Sequence, residues 1–90
     1  MRFEWDPQKA AQNILNHGVS FEEALTAFGD PLSLTVFDAE HSHDEDRFVL
    51  LGATDGLRLV VVVHTQRGDS FRIISARLAT RRERKAYANF

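Results

Sequence analysis

Leu57-Arg58-Leu59-Val60-Val61-Val62-Val63-His64-Thr65-Gln66, followed by Arg67-Gly68-Asp69 and then Ser70-Phe71-Arg72-Ile73-Ile74-Ser75-Ala76-Arg77, decides the fold of this chain. The first ten residues are rich in β-branched side chains, which favour the pleated surface of a sheet, and they read as a central strand. Arg67-Gly68-Asp69 turns the chain, and Ser70 to Arg77 forms the last strand. Upstream, Asp55-Gly56 is a tight-turn signal between this strand and another over Arg47 to Thr54. Before that, Leu32, Leu34 and Val36 alternate with Ser33, Thr35 and Phe37, a period of two that gives one more strand. Residues 38–46, Asp-Ala-Glu-His-Ser-His-Asp-Glu-Asp, are an acidic loop. Hairpin-length turns make these four consecutive strands an antiparallel meander.

The rest of the chain reads as one short strand and three helices. Arg2-Phe3-Glu4-Trp5 alternates as a short strand, and Asp6-Pro7 supplies an N-cap followed by proline at the first helical position. That helix carries Ala10, Ala11, Ile14 and Leu15 on one face and ends at His17-Gly18, where glycine suits a left-handed cap. Ser20 and Glu23 predict a reciprocal capping box for a second helix, whose Phe21, Ala24, Leu25 and Phe28 form a buried stripe. Gly29-Asp30-Pro31 ends it. Thr80 and Glu83 predict the same device for a final helix, with Ala79, Glu83, Ala86, Tyr87 and Phe90 on one side and Arg81, Arg84 and Lys85 facing water. The expected order is β-α-α-β-β-β-β-α. This is an α+β fold in which the two early helices cover one face of an antiparallel sheet and the other face stays partly open.

Composition narrows the function. Ninety residues are read as one domain, 1–90, with hydrophobic content of 43%, enough for a single small core. With no cysteine, neither disulfides nor thiolate metal ligands nor thiol catalysis is open to the chain. The acidic, non-apolar start is no signal peptide, and Leu59 to Val63 is too short to span a bilayer. A cytoplasmic protein with no membrane partner is expected.

The net charge near zero hides a division along the chain. Residues 1–57 hold three basic residues against eleven acids, whereas residues 58–90 hold eight against Asp69 and Glu83. A basic third on an acidic body points to a localised anion-binding surface, with polyphosphate or an acidic protein as ligand. Seven of those eight bases are arginine: Arg58, Arg67, Arg72, Arg77, Arg81, Arg82 and Arg84. The guanidinium fork gives a phosphate two parallel hydrogen bonds at once. The other reading is surface arginines in solvated ion pairs. Strand alternation sends Arg72 and Arg77 to opposite faces unless a bulge intervenes.

Four further features could carry chemistry. His64, on an otherwise apolar strand near several arginines, reads either as a half-buried histidine with one hydrogen bond or as a general acid or base. His17, at a helix C-terminus, can favour the negative end of the helix dipole. Glu83 and Tyr87, four apart, pair an acid with a phenol beside the arginines, or else cap and pack. His41 and His43 flank Ser42 among acids, a weak metal-ligand pattern better read as a mobile loop that shields the basic patch or contacts a partner.

Taken in order, these residues resemble the BrnT toxins, the toxin halves of bacterial type II toxin–antitoxin pairs. The resemblance rests on Phe3-Glu4-Trp5-Asp6 with Lys9 and Asn13, then His17-Gly18-Val19-Ser20-Phe21-Glu22-Glu23-Ala24, then Asp30-Pro31. It continues through Arg47, the Val60 to Thr65 strand with Arg67 beyond it, and Arg72-Ile73-Ile74-Ser75-Ala76-Arg77, to Arg81-Arg82-Glu83 and Tyr87. It covers nearly the whole chain. The resemblance implies a RelE-like fold, RNA cleavage that blocks translation without a metal or cofactor, and neutralisation by a cognate BrnA-type antitoxin. It leaves the ribosome open as a place of action, and operator DNA is reached only through the antitoxin complex. Of the positions that match the family, His17, Arg67, Arg72, Arg77, Glu83 and Tyr87 are expected to be catalytic and Arg47 to contact RNA. The residues themselves add His64 to the catalytic candidates, and the basic third adds Arg58, Arg81, Arg84 and Lys85 as RNA contacts. Asn16 stands where a lysine is common in the family, and His64 where a tyrosine is common. The alternative function is a non-catalytic basic module that holds an acidic protein or nucleic acid.

Overall fold

The computed structural model describes residues 2–89. In chain order the elements are β1 (Arg2–Glu4), α1 (Pro7–His17), α2 (Phe21–Thr26) running into a 3-10 turn at Ala27–Gly29, and β2 (Leu34–Phe37). A second 3-10 turn at Ala39–His41 precedes β3 (Arg47–Ala53), β4 (Leu59–Arg67), β5 (Ser70–Leu78) and α3 (Arg81–Ala88). One sheet holds the strands in the order β1-β5-β4-β3-β2. Its four consecutive strands form the expected antiparallel meander. β1 adds to the outer edge parallel to β5, matching Arg2 with Ser70, Phe3 with Phe71 and Glu4 with Arg72. The sheet is therefore antiparallel except at this edge. A parallel neighbour is reached only through a long crossover, and no local signal announces it.

The local signals explain the helix ends. Asp6 accepts from the Gln8 amide at 2.8 Å, and Gly18, at φ 68°, donates its amide to Ile14 at 2.8 Å. At α3 both arms of the capping box form: Thr80 Oγ1 accepts from the Glu83 amide, and the Glu83 carboxylate accepts from the Thr80 amide. At α2 only one arm forms. Ser20 accepts from the Glu23 amide at 3.0 Å, but the Glu23 carboxylate turns away to Thr54 and Arg58. A charged guanidinium with two donors outcompetes one neutral amide.

The buried face of α1 also differs from expectation. Ala10 and Asn13 are buried, while Ala11, Ile14 and Leu15 face outward. The reason lies in β5. β1 stops at Glu4, opposite Arg72, so the outward N–H and C=O of Ala76 have no strand beside them. The Asn13 side-chain amide stands in for that strand: its Nδ2 donates to the Ala76 carbonyl at 2.7 Å and its Oδ1 accepts from the Ala76 amide at 3.2 Å. The same Nδ2 donates to the Val19 carbonyl at 2.9 Å. Buried backbone groups require partners, and an apolar side chain offers none.

Two cores follow, one on each face of the sheet. Between the sheet and the early helices, Val19, Phe21, Ala24, Val60, Val62, Ile73 and Ala76 pack together. On the opposite face Leu59, Val61 and Ala79 pack with Val49, Leu51 and Tyr87 beneath α3. α3 covers only that end, and the rest of the second face is open. Phe90, which the sequence places on the packed side of the last helix, lies outside the described residues. The Asp55-Gly56 turn forms, but the positive φ falls on Leu57 at 63°.

Candidate functional site

The site depends on a single irregularity. β4 and β5 stay in register from Val60 opposite Leu78 to Val63 opposite Ser75; then His64 pairs with Ile73 and Thr65 with Arg72. Ile74 is thus an extra residue, a β-bulge, and the alternation of β5 reverses across it. Arg72 and Arg77, which strict alternation would separate, share one face. That face is the open one. Directly opposed residues in a sheet project to the same side, so Arg47, Thr65, Arg72 and Glu4 form one row across β3, β4, β5 and β1. Arg67 lies on the same face two residues beyond Thr65, opposite Ser70. Arg77 lies four register positions away, opposite Val61 and at the end covered by α3.

The arginines differ in how firmly they are held. Arg58 projects to the helical side, gives Nε to Glu23 at 2.9 Å and an Nη2 bond to the Gly18 carbonyl at 3.0 Å, and pins the junction of α1 and α2. Arg77 donates to both oxygens of Glu83, at 2.8 and 2.9 Å. These two are occupied in binding helices to the sheet. Arg67 meets Glu45 at 3.2 Å with both side chains partly in solvent, and Arg72 reaches Glu4 only at 4.0 Å. Such exposed pairs are worth about 0–1 kcal/mol each. Arg47 has no ion-pair partner among the described residues. Arg47, Arg67 and Arg72 are therefore the sheet arginines free to take an external anion. Thr65 sits in their midst, 1% exposed, and its Oγ1 is the one buried side-chain polar atom without a hydrogen-bond partner among the described residues.

The remaining predicted residues do not join that row. Tyr87 donates its hydroxyl to Asp30 Oδ2 at 2.6 Å, and Asp30 also accepts from the Ala53 and Leu32 amides. Burial alone would raise the Asp30 carboxyl, but the hydrogen bonds from Tyr87 and the two amides hold it below its usual range. Tyr87 and Glu83 thus dock α3. His64 alternates with Thr65 and so faces the helical side, where Phe28, Phe48 and Phe71 surround its ring. Burial lowers its pKa and keeps the imidazole neutral. His17 is exposed at the end of α1, and Arg81, Arg84 and Lys85 are exposed on α3. In the acidic loop His41 meets Asp38 at 2.9 Å. Among the described residues no three His, Asp or Glu side chains are grouped to hold a metal ion. A cavity of about 200 Å³ beside the loop is lined by His41, His43, Asp44, Glu45 and Arg47, so the loop adjoins the arginine row.

Glu83 carries a pH signature. The Arg77 guanidinium holds its carboxyl down to about 2, against the usual 4.5. A depressed carboxyl stabilises the fold at every pH above its unfolded value and loses that contribution as pH falls through the folded one. The thermal midpoint should therefore fall more steeply between pH 4.5 and 2 in the parent than in Glu83→Gln, with the two curves converging at the acid end. Parallel curves would show that the pair contributes nothing.

Fold and site together define a small α+β protein with Arg47, Arg67 and Arg72 gathered on the open face of its sheet. A family model described as the ribonuclease toxin BrnT of type II toxin–antitoxin systems matches residues 5–83, and the chain belongs to that family. Its fold is similar to the 1.1 Å crystal structure of the Brucella abortus ribonuclease toxin BrnT, with a TM-score of 0.61 and 25% sequence identity over 90% of this chain and 99% of that one. Comparison with curated protein sequences finds no significant match. As a type II toxin the family implies an RNA substrate and an antitoxin partner. No helix among the described residues is long and apolar enough to cross a membrane.

Sequence reasoning missed Glu4 and Thr65. Alternation placed Glu4 opposite in sense to Phe3 and Trp5, but its nearness to Arg72 depends on the parallel pairing of β1. Thr65 reads as an ordinary β-branched strand residue, and only the register reveals its neighbours.

Proposed function

We propose that this BrnT-family toxin cleaves RNA without a metal ion, on the open face of the sheet, and so blocks translation until a BrnA-type antitoxin neutralises it. The row Arg47-Thr65-Arg72, with Arg67 beside it, carries this reading. A backbone phosphate seated between Arg47 and Arg72 meets two guanidinium forks. The ribose 2′-hydroxyl attacks the adjacent phosphorus and passes its proton to the Glu4 carboxylate, which lies beside Arg72. The bond to the 5′-oxygen breaks, that oxygen takes a proton from water, and a 2′,3′-cyclic phosphate remains. The arginines stabilise the extra charge of the pentacoordinate transition state. Arg81, Arg84 and Lys85 extend the positive surface and steer RNA toward the row. The antitoxin reaches the same face with an acidic segment, as Glu45 already does in reaching Arg67.

The deciding assay uses purified protein on naked RNA, with and without chelator. Cleavage that is equal in both and leaves 2′,3′-cyclic phosphate ends is expected. Loss of cleavage on chelation overturns the metal-free reading, and absence of cleavage with retained RNA binding favours the non-catalytic module.

A further inference from the structure

Behind the arginine row, on the helical side of the sheet, four rings converge without closing over one another. His64 lies 4.8 Å from Phe28, 5.5 Å from Phe71 and 6.0 Å from Phe48, centroid to centroid, and Phe28 lies 5.3 Å from Phe71. They line an open cavity of about 230 Å³ whose rim carries the exposed polar side chains of Thr35 and Gln66. Sites for drug-sized ligands run to about 300–1,000 Å³, so this one suits a single planar ring better than a helix or a peptide. Gln66 Nε2 makes only a long bond, 3.4 Å, to the Gly68 carbonyl, so its amide remains open to a ligand.

Position in the chain ties the cavity to the row. Phe48 follows Arg47, Gln66 precedes Arg67, and Phe71 precedes Arg72, so three of the lining residues are chain neighbours of arginines on the other face. A second open cavity of about 450 Å³, lined by Arg2, Gln66, Gly68, Asp69 and Phe71, wraps the β4–β5 hairpin and shares two residues with the first. The two cavities adjoin at Gln66 and Phe71. Aromatic rings beside a positive track are the means by which proteins hold single-stranded bases, since every base has a π-face to stack.

We infer that the Phe28–Phe48–Phe71 cavity binds a nucleobase of the RNA, stacked on the rings and read at its edge by Gln66 and Thr35, in a strand that rounds the β4–β5 hairpin from the phosphate held by Arg47 and Arg72 on the other face. This rests on the ribonuclease reading above, and it assigns to this cavity the choice of where the strand is cut.

The test uses the full chain and its Gln66→Ala and Phe71→Leu variants. Both should fold, as judged by thermal midpoint and circular dichroism. Gln66→Ala should redistribute the cut positions on a long RNA, and Phe71→Leu should weaken binding of a short single-stranded RNA about tenfold or more, the value of one base–aromatic stack. NMR separates this inference from the cleavage reading. Ring signals of Phe48, Phe71 and His64 should shift on titration with nucleosides and stay still with inorganic phosphate, whether or not the protein cuts RNA. Unshifted rings, or unchanged cut positions and affinity in folded variants, overturn the inference. So does loss of antitoxin binding with RNA binding intact, which would make the cavity a protein-docking site.

Discussion

Arg72→Ala lowers the rate of RNA cleavage about 10²- to 10³-fold, the usual effect of removing one preorganised donor to a developing oxyanion. Arg47→Ala does the same, and the double variant adds less than the sum of the two, because both guanidinium groups act on one phosphate. Neither change unfolds the protein. Among the described residues Arg47 has no ion-pair partner to lose, and Arg72 reaches Glu4 only at 4.0 Å. Arg77→Ala has the opposite profile. It removes both bonds to Glu83 at 2.8 and 2.9 Å, loosens α3, and lowers stability before it lowers activity. Initial rates on a fixed RNA, measured beside thermal midpoints, separate the two profiles. Full activity in a folded Arg47→Ala, Arg72→Ala double variant would remove the phosphate seat from this row.

Asn13→Ala produces the largest loss of stability expected of a single polar side chain in this fold. Three hydrogen bonds disappear, to Val19 and to both backbone groups of Ala76. The Ala76 groups lie beyond the end of β1, in a buried position that a truncated side chain leaves unpartnered. An unsatisfied buried group costs about 1–3 kcal/mol, so about 2–4 kcal/mol is expected for the set. In a domain of this size that lowers the thermal midpoint by about 8–32 °C, since each kcal/mol moves it about 4–8 °C. Asn13→Asp also fails, because it keeps the acceptor but loses the donor and buries a charge. A midpoint within about 3 °C of the parent in Asn13→Ala would mean that β5 does not depend on this amide.

Much of the architecture is legible in short stretches. Asp6-Pro7 and Gly18 bound the first helix, Thr80 and Glu83 start the last, and the alternating runs from Leu34 to Leu78 lay out the meander. These signals are local, and a few neighbouring side chains and amides settle them. The failures share one cause. Ile14 and Leu15 look like a core stripe, yet the sheet edge demanded the amide of Asn13, and a demand made 63 residues away leaves no mark on the helix. Glu23 looks like half of a capping box until Arg58 arrives from the turn just before β4. His64 alternates away from the arginine row, Glu83 is taken up by Arg77, and Tyr87 docks α3 on Asp30, relations that only strand register and helix docking set.

Sequence by itself determined the α+β class, the order of the elements, the family, and the concentration of arginine in the last third. Tertiary structure decided which arginines are tied up in docking helices. Arg58 and Arg77 are bound to Glu23 and Glu83, whereas Arg47, Arg67 and Arg72 gather on the open face around Thr65. The bulge at Ile74 brings Arg72 onto the face of Arg77, and one residue of register is enough because side chains alternate with a period of two. Charge and propensity are properties of residues and their chain neighbours. Facing and pairing are properties of strand register, set by contacts between segments far apart in the chain.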